Sequence, residues 1–142
     1  MIRMYSYRIL TKEYNQMILV TDKLREAVRE SGIQNGVATV MTMHTTTGIA
    51  VNEALECLES DIANMLEKNA PEEGTYSHAR MLHDYGSTAG NPTGHLKSYL
   101  TGNHCHFYVI DGELIQGGAQ DVYFCEFDGP ANRMIKIFID GE

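Results

Sequence analysis

Tryptophan is absent from this chain of 142 residues, and proline and cysteine occur only three times each. Cys57, Cys105 and Cys125 are an odd set without close spacing, and no CxxC is present. This excludes a disulfide framework and a thiolate metal cluster, and predicts reduced, mostly buried thiols. No stretch approaches the roughly 18–20 apolar residues that cross a bilayer. The N-terminus, MIRMYSYRIL, lacks the apolar centre of a secretory signal. Both absences argue against a membrane partner and for a cytoplasmic protein. Positive charge is scarce as well: 11 Lys+Arg face 19 Asp+Glu, for a net charge of −8. Such a surface repels a phosphate backbone, so nucleic acid is not the expected partner. A phosphorylated metabolite can still be held locally by one lysine, a helix N-terminus or a metal.

The residues present describe an ordinary globular chain. The length suits one domain, 1–142, with no linker, repeat or low-complexity stretch. The eight tyrosines are scattered and form no stacking platform, and the eight methionines suit core filling. Tyr5 to Leu10 and Met17 to Val20 read as strands. Thr21 and Asp22 offer N-caps for a helix carrying Leu24, Ala27 and Val28, which Gly32 should end. Asn35-Gly36 marks a turn, and the β-branched run Val37 to Met43 predicts a strand that delivers His44 at its end. Leu55, Leu58, Ile62, Met65 and Leu66 fall on one helix face, closed by Pro71. A long polar stretch, 71–91, is expected to be a functional loop. Pro92 suits the first turn of a short helix bearing His95, Leu96, Tyr99 and Leu100.

The last third reads as β-structure. His104 to Ile110 is a strand, Asp111-Gly112 a hairpin turn, and Glu113 to Gln116 its return. Val122 to Phe127 and Arg133 to Ile139 follow, separated by Asp128-Gly129-Pro130. The sum, about seven or eight strands with two or three helices, predicts an α+β fold, mainly an antiparallel sheet or sandwich flanked by helices.

Four groups of residues can carry chemistry. His44-Thr45-Thr46-Thr47-Gly48 presents an imidazole, three hydroxyls and a glycine turn. Imidazole suits metal binding or acid–base work, and hydroxyls and turn amides suit phosphate oxygens. The same residues are also what an ordinary strand end contains. His78, His83, Asp84 and His95 supply N/O donors of the kind a divalent ion needs, though polar loops accumulate such residues too. His104 and His106 share one face of a strand, as in a two-histidine clip or on any polar outer face. The fourth group is the run Gln116-Gly117-Gly118-Ala119-Gln120 with Glu126 beyond it. Glycines allow close backbone approach, and a carboxylate inside an apolar strand, if buried, must be paired, metal-bound or shifted in pKa.

These motifs resemble a known family. His44-Thr45-Thr46-Thr47-Gly48 with Asn52-Glu53 is similar to the HTT-x-G…NE signature of the YjbQ family, also called the secondary thiamine-phosphate synthase family. Pro71-Glu72 with Tyr76 and His78 resembles its PE…Y-x-H segment. Gly94-His95-Leu96-Lys97, then Leu100 and Gly102, resembles its H-(I/L)-(K/R)…L-x-G segment. Gly117-Gly118-Ala119-Gln120 and Glu126 resemble its G-T-W-Q…E segment, with Ala119 where the family commonly has Trp. The segment between His78 and His95 is longer than in compact members, and His104 and His106 fall on ordinary strand positions.

The resemblance implies an α+β protein built on a sandwich-like sheet, a homotrimer, and a site at His44, His78 and His95 with Gln120 and Glu126 nearby. It implies a divalent metal, zinc or magnesium, on those three histidines. The expected roles are catalysis by His44, His95 and Glu126, and substrate binding by Thr45, Thr46, Thr47, Asn52 and Gln120. The expected function is a small-molecule enzyme with thiamine-phosphate synthase-like activity on phosphorylated precursors. A metal-dependent hydrolase or phosphatase is the first alternative, and a non-catalytic trimeric protein that binds a metal or metabolite is the second.

Overall fold

The structure, a computed structural model, describes residues 1–78 and 91–142. The strands are β1 (Ile2–Leu10), β2 (Gln16–Leu19), β3 (Gly36–Thr42), β4 (Thr47–Asn52), β5 (His104–Ile110), β6 (Glu113–Leu114), β7 (Asp121–Glu126) and β8 (Asn132–Gly141). The helices are α1 (Thr21–Ser31), α2 (Glu56–Asn69) and α3 (Pro92–Thr101). The fold class is α+β, as the residue pattern predicts. Among the described residues every strand pair is antiparallel. A five-stranded sheet runs β1-β8-β3-β5-β6, and a three-stranded sheet runs β2-β7-β4. Among the described residues no helix is long and apolar enough to cross a membrane.

The period-two pattern builds the main core. Ile135, Ile137 and Ile139 of β8, Ala38 and Val40 of β3, and Phe107 and Val109 of β5 are buried together. From the small sheet, Ile49, Val122 and Phe124 join the same cluster, and α1 closes it with Leu24, Ala27 and Val28. Tyr123, Cys125 and Phe127 form a second, smaller cluster with Leu66 of α2. Helix α2 is a loose cover, since Leu66 is its one buried residue.

Local signals explain several boundaries. Gly32 ends α1 in the left-handed region at φ 68°, where glycine carries no steric penalty. Asp111 and Gly112 both adopt positive φ, as a two-residue hairpin between twisted strands requires. Thr21 departs from its expected capping role. The N-cap position is Val20, and no side chain caps this end. The Thr21 hydroxyl instead donates to Asp121 and accepts from the Val122 amide, tying α1 to β7. Strand β4 was not expected, because His44 to Gly48 reads as a turn. Glu113 to Gln116 shortens to the two residues of β6.

Candidate functional site

One end of the sandwich gathers the polar residues. Glu126 ends β7 as the register partner of both Thr47 and Gln16, and Arg133, second residue of β8, is the partner of Ile9. The two sheets are therefore joined here by an ion pair. Arg133 Nε donates to Glu126 Oε1 at 2.8 Å and Nη2 to Oε2 at 2.7 Å, a bidentate geometry. Thr11 adds a hydroxyl donor at 2.7 Å, and the Phe127 and Asp128 amides fill Oε2. Glu126 is 0% exposed. Burial alone would push its carboxyl up, but the bonds from Arg133, Thr11 and the Asp128 amide outweigh it and hold the group below its ordinary range. Arg133 Nη2 also donates to the Thr46 hydroxyl at 3.0 Å.

His44 lies beside this pair. It lies two residues past the end of β3, where the ladder with β8 ends. The Met43 amide donates to the Met134 carbonyl, and the Met134 amide donates back to His44 Nε2 at 2.8 Å. The imidazole thus stands in for the next strand carbonyl. Burial, and then the nearby Arg133 charge, lower its pKa.

A second chain of contacts reaches the same place from α3. The His78 and His95 rings meet edge to face, centroids 5.1 Å apart. His78 Nε2 pairs with Asn91 Oδ1 at 2.9 Å, and Asn91 Nδ2 donates to Asp128 Oδ2 at 2.8 Å. Asn91 occupies the N-cap position of α3, yet among the described residues no side chain caps that end. Its amide is used to join His78 to Asp128. Gly94 lets α3 sit close: a Cβ there would be 2.9 Å from the Phe127 carbonyl and 3.4 Å from Thr46. The link 71–76 is anchored to the same helix start, because Glu72 accepts from Tyr14 at 2.7 Å and from Thr93 at 3.0 Å.

The expected site residues separate into groups. His44, Thr46 and Glu126 lie together around Arg133, and His78 and His95 lie together around Asn91 and Asp128. Thr45 is exposed and carries no hydrogen bond among the described residues. Thr47 is wholly buried: its hydroxyl pairs with Thr42 at 2.6 Å and its carbonyl accepts from Ser98. These bonds give Thr47 a packing and register role within the fold. Asn52 and Gln120 flank the opposite end of the small sheet, where Asn52 pairs with Asp121. Six residues of strand at ~3.3 Å each put Gln120 roughly 20 Å from Glu126 within one chain. Gln120 instead closes its own turn by accepting from the Gly117 amide at 2.8 Å. His104 and His106 lie on the exposed face of β5. His83 and Asp84 lie outside the described residues. Arg133, Asn91, Asp128 and Thr11 were not anticipated. The available signal for Arg133 was that Glu126, if buried, needed a cation, and an arginine follows it across a short turn.

A divalent ion does not fit the three expected histidines. It needs three or four converging lone pairs, and His44 Nε2 has given its own to Met134. Among the described residues no three His, Cys, Asp or Glu side chains are placed to hold an ion. Glu126, with both oxygens filled, is not a free base either. A cavity of about 720 Å³ lies elsewhere, between α2 and the small sheet, with Lys97 and Phe127 on its wall and no histidine among its described lining residues. Lys97 is buried there and pairs with Glu67 at 3.2 Å.

Comparison with known proteins agrees with this arrangement at the level of the whole chain. A family model described as UPF0047 protein YjbQ-like matches residues 5–142. UPF0047 protein YugU of Bacillus subtilis is 34% identical over 134 residues, covering 94% of this chain and 96% of its own. A UPF0047 protein of Methanothermobacter thermautotrophicus is 33% identical over 127 residues, covering 89% and 84%. The crystal structure of a YbjQ-like protein of unknown function from Sulfolobus solfataricus superposes with a TM-score of 0.91 at 26% identity, covering 100% of this chain and 99% of that one. A family structure from Clostridium acetobutylicum gives 0.86 at 35% identity, covering 96% and 99%. The chain belongs to the YjbQ-like UPF0047 family.

Proposed function

We propose that this protein is a small-molecule enzyme whose site, at the Glu126–Arg133 end of the sandwich, handles a phosphorylated substrate. The observation that carries the reading is the Arg133 guanidinium, held by a buried carboxylate, bonded to Thr46 and set beside His44. The nearby start of α3 adds the positive end of a helix dipole, favourable to phosphate oxygens. In the thiamine-phosphate synthase-like reaction, the bond between the pyrimidine methylene carbon and diphosphate breaks, and diphosphate leaves with the electron pair. The thiazole-phosphate nitrogen then forms the new C–N bond. Arg133 and His44 would stabilise the departing charge, with the His78–His95 pair beyond Asn91 and Asp128. The test supplies pyrimidine diphosphate and thiazole phosphate to the wild type and to His44→Ala, His95→Ala and Arg133→Met. Unchanged turnover in all three variants sinks the reading. A phosphatase panel run in parallel separates synthesis from hydrolysis of a phosphate ester, the alternative that uses the same oxyanion contacts.

We also propose that the chain is a cytoplasmic homotrimer. Helix α3 supports self-association because it is turned inside out: Thr93, Gly94, Lys97 and Ser98 are buried, while Leu96, Tyr99 and Leu100 are exposed, Tyr99 at 87%. An apolar outer face of this kind calls for a cover. Association also offers a route for Asn52 and Gln120 of one copy to meet His44 of another. The free thiols suit a reducing compartment.

A further inference from the structure

We propose that His44 is a fixed neutral hydrogen-bond donor that presents Nδ1–H to an oxyanion of the substrate, and is neither a metal ligand nor a general base. The inference rests on the phosphorylated-substrate reading and assigns one residue its chemistry within it. A backbone amide can only donate, so His44 Nε2, 2.8 Å from the Met134 amide, must accept and carries no proton. Neutral imidazole has one N–H, which therefore sits on Nδ1. The ring cannot readily turn over, because strands β3 and β8, paired through Thr42 and Ile135, hold the Met134 amide against it. With Nε2 closed by the amide, the ring takes no second proton there and stays neutral. Among the described residues the His44 ring makes no hydrogen bond besides the one at Nε2, so Nδ1–H is available to a ligand.

His78 shows that the choice is specific. Asp128 accepts, so Asn91 must turn its Nδ2 towards it and its Oδ1 towards His78. His78 Nε2 therefore donates to Asn91. His44 Nε2 is fixed as an acceptor by a backbone amide, and His78 Nε2 as a donor by the Asn91 side chain. At His44 this leaves a donor at Nδ1 for developing negative charge. A preorganised neutral donor of this sort stabilises an oxyanion without any proton transfer.

Two-bond ¹H–¹⁵N spectra of the labelled wild type at pH 7 read the tautomers directly. His44 should show a protonated Nδ1 and a bare Nε2, and His78 a proton on Nε2. The second arm titrates inorganic diphosphate into the wild type, His44→Asn and His44→Gln. The asparagine amide reaches the Nδ1 position and should keep affinity within about threefold. Glutamine reaches only the Nε2 position and should lose about tenfold or more, the worth of a hydrogen bond to a charged group. A proton on His44 Nε2, or glutamine retaining affinity while asparagine loses it, overturns the donor role. So does diphosphate binding that neither variant weakens. If the wild type binds no diphosphate although the tautomers are as stated, the phosphorylated-substrate reading fails and the oxyanion role goes with it. The wild-type spectra need no variant, so a variant that fails to fold leaves that arm decisive.

Discussion

Glu126 and Arg133 illustrate how a buried charge is tolerated at the scale of single residues. Taking two ions out of water costs several kcal/mol each, and the pair stands because every carboxylate oxygen is filled. Removing one partner strands the other. Glu126→Gln is expected to lose about 3–5 kcal/mol of unfolding free energy, read from denaturant melts, and Glu126→Gln with Arg133→Met should recover part of it. A loss under about 1 kcal/mol, the range of surface pairs, would show that the pair is not the fastening it is taken for. The pH dependence follows from the same bonds. The folded-state pKa of Glu126 lies below its ordinary 4.5, so its stabilisation is complete above that value and is lost as pH falls through the depressed one. Melts across the acid range should therefore decline below about 4.5 in the wild type and less steeply in Glu126→Gln. His44 acts at a higher pH. Its folded pKa is also lowered, from 6.5, so the unfolded chain binds the extra proton first and stability falls as pH drops through 6.5. His44→Asn should remove that segment of the profile.

Among the elements, α3 and α1 show two different uses of glycine. Gly94 is required by closeness, because a Cβ would press on the Phe127 carbonyl at 2.9 Å. Gly94→Ala should cost about 1–3 kcal/mol and push α3, with His95, away from Thr46. Gly32 is required by conformation, since φ is 68° with open space around it. Gly32→Ala should cost about 1 kcal/mol and leave the site untouched. Paired melts and diphosphate titrations separate the two: affinity should fall in Gly94→Ala and hold in Gly32→Ala. Helix α2 is a third case. It touches the small sheet through Leu66 and the Tyr123 to Glu59 hydrogen bond at 2.6 Å, leaving the cavity beneath it.

For the whole molecule, the ion pair pins the two sheets at one end, and the outward apolar face of α3 lies near the same end. A mass measurement in solution should give three copies, and Tyr99→Glu with Leu100→Lys should yield monomers that keep the fold. A wild-type monomer would sink the trimer. If the far end of one copy completes the site of another, mixing His44→Ala with Gln120→Ala should restore activity that neither has alone.

The sequence by itself determined what depends on near neighbours. Strand alternation in β3, β5 and β8, the Asp111-Gly112 turn, the Gly32 terminator and the start of α3 at Pro92 all follow from residues a few positions apart, where backbone sterics and burial period act. It also marked Glu126 as a carboxylate in need of a partner. Only the tertiary structure decided who that partner is, because the bond joins the end of one sheet to the start of a strand in the other. Thr47 shows the same limit: its run of hydroxyls resembles a ligand turn, and burial against Thr42 and Ser98 makes it part of a strand. Gln120 was grouped with Glu126 because they are close in sequence, yet an extended strand carries them to opposite ends. His44 was visible as a chemical residue from the start. Its atom-level role came from the Met134 amide 90 positions away, since a tautomer is set by whatever the other ring nitrogen touches.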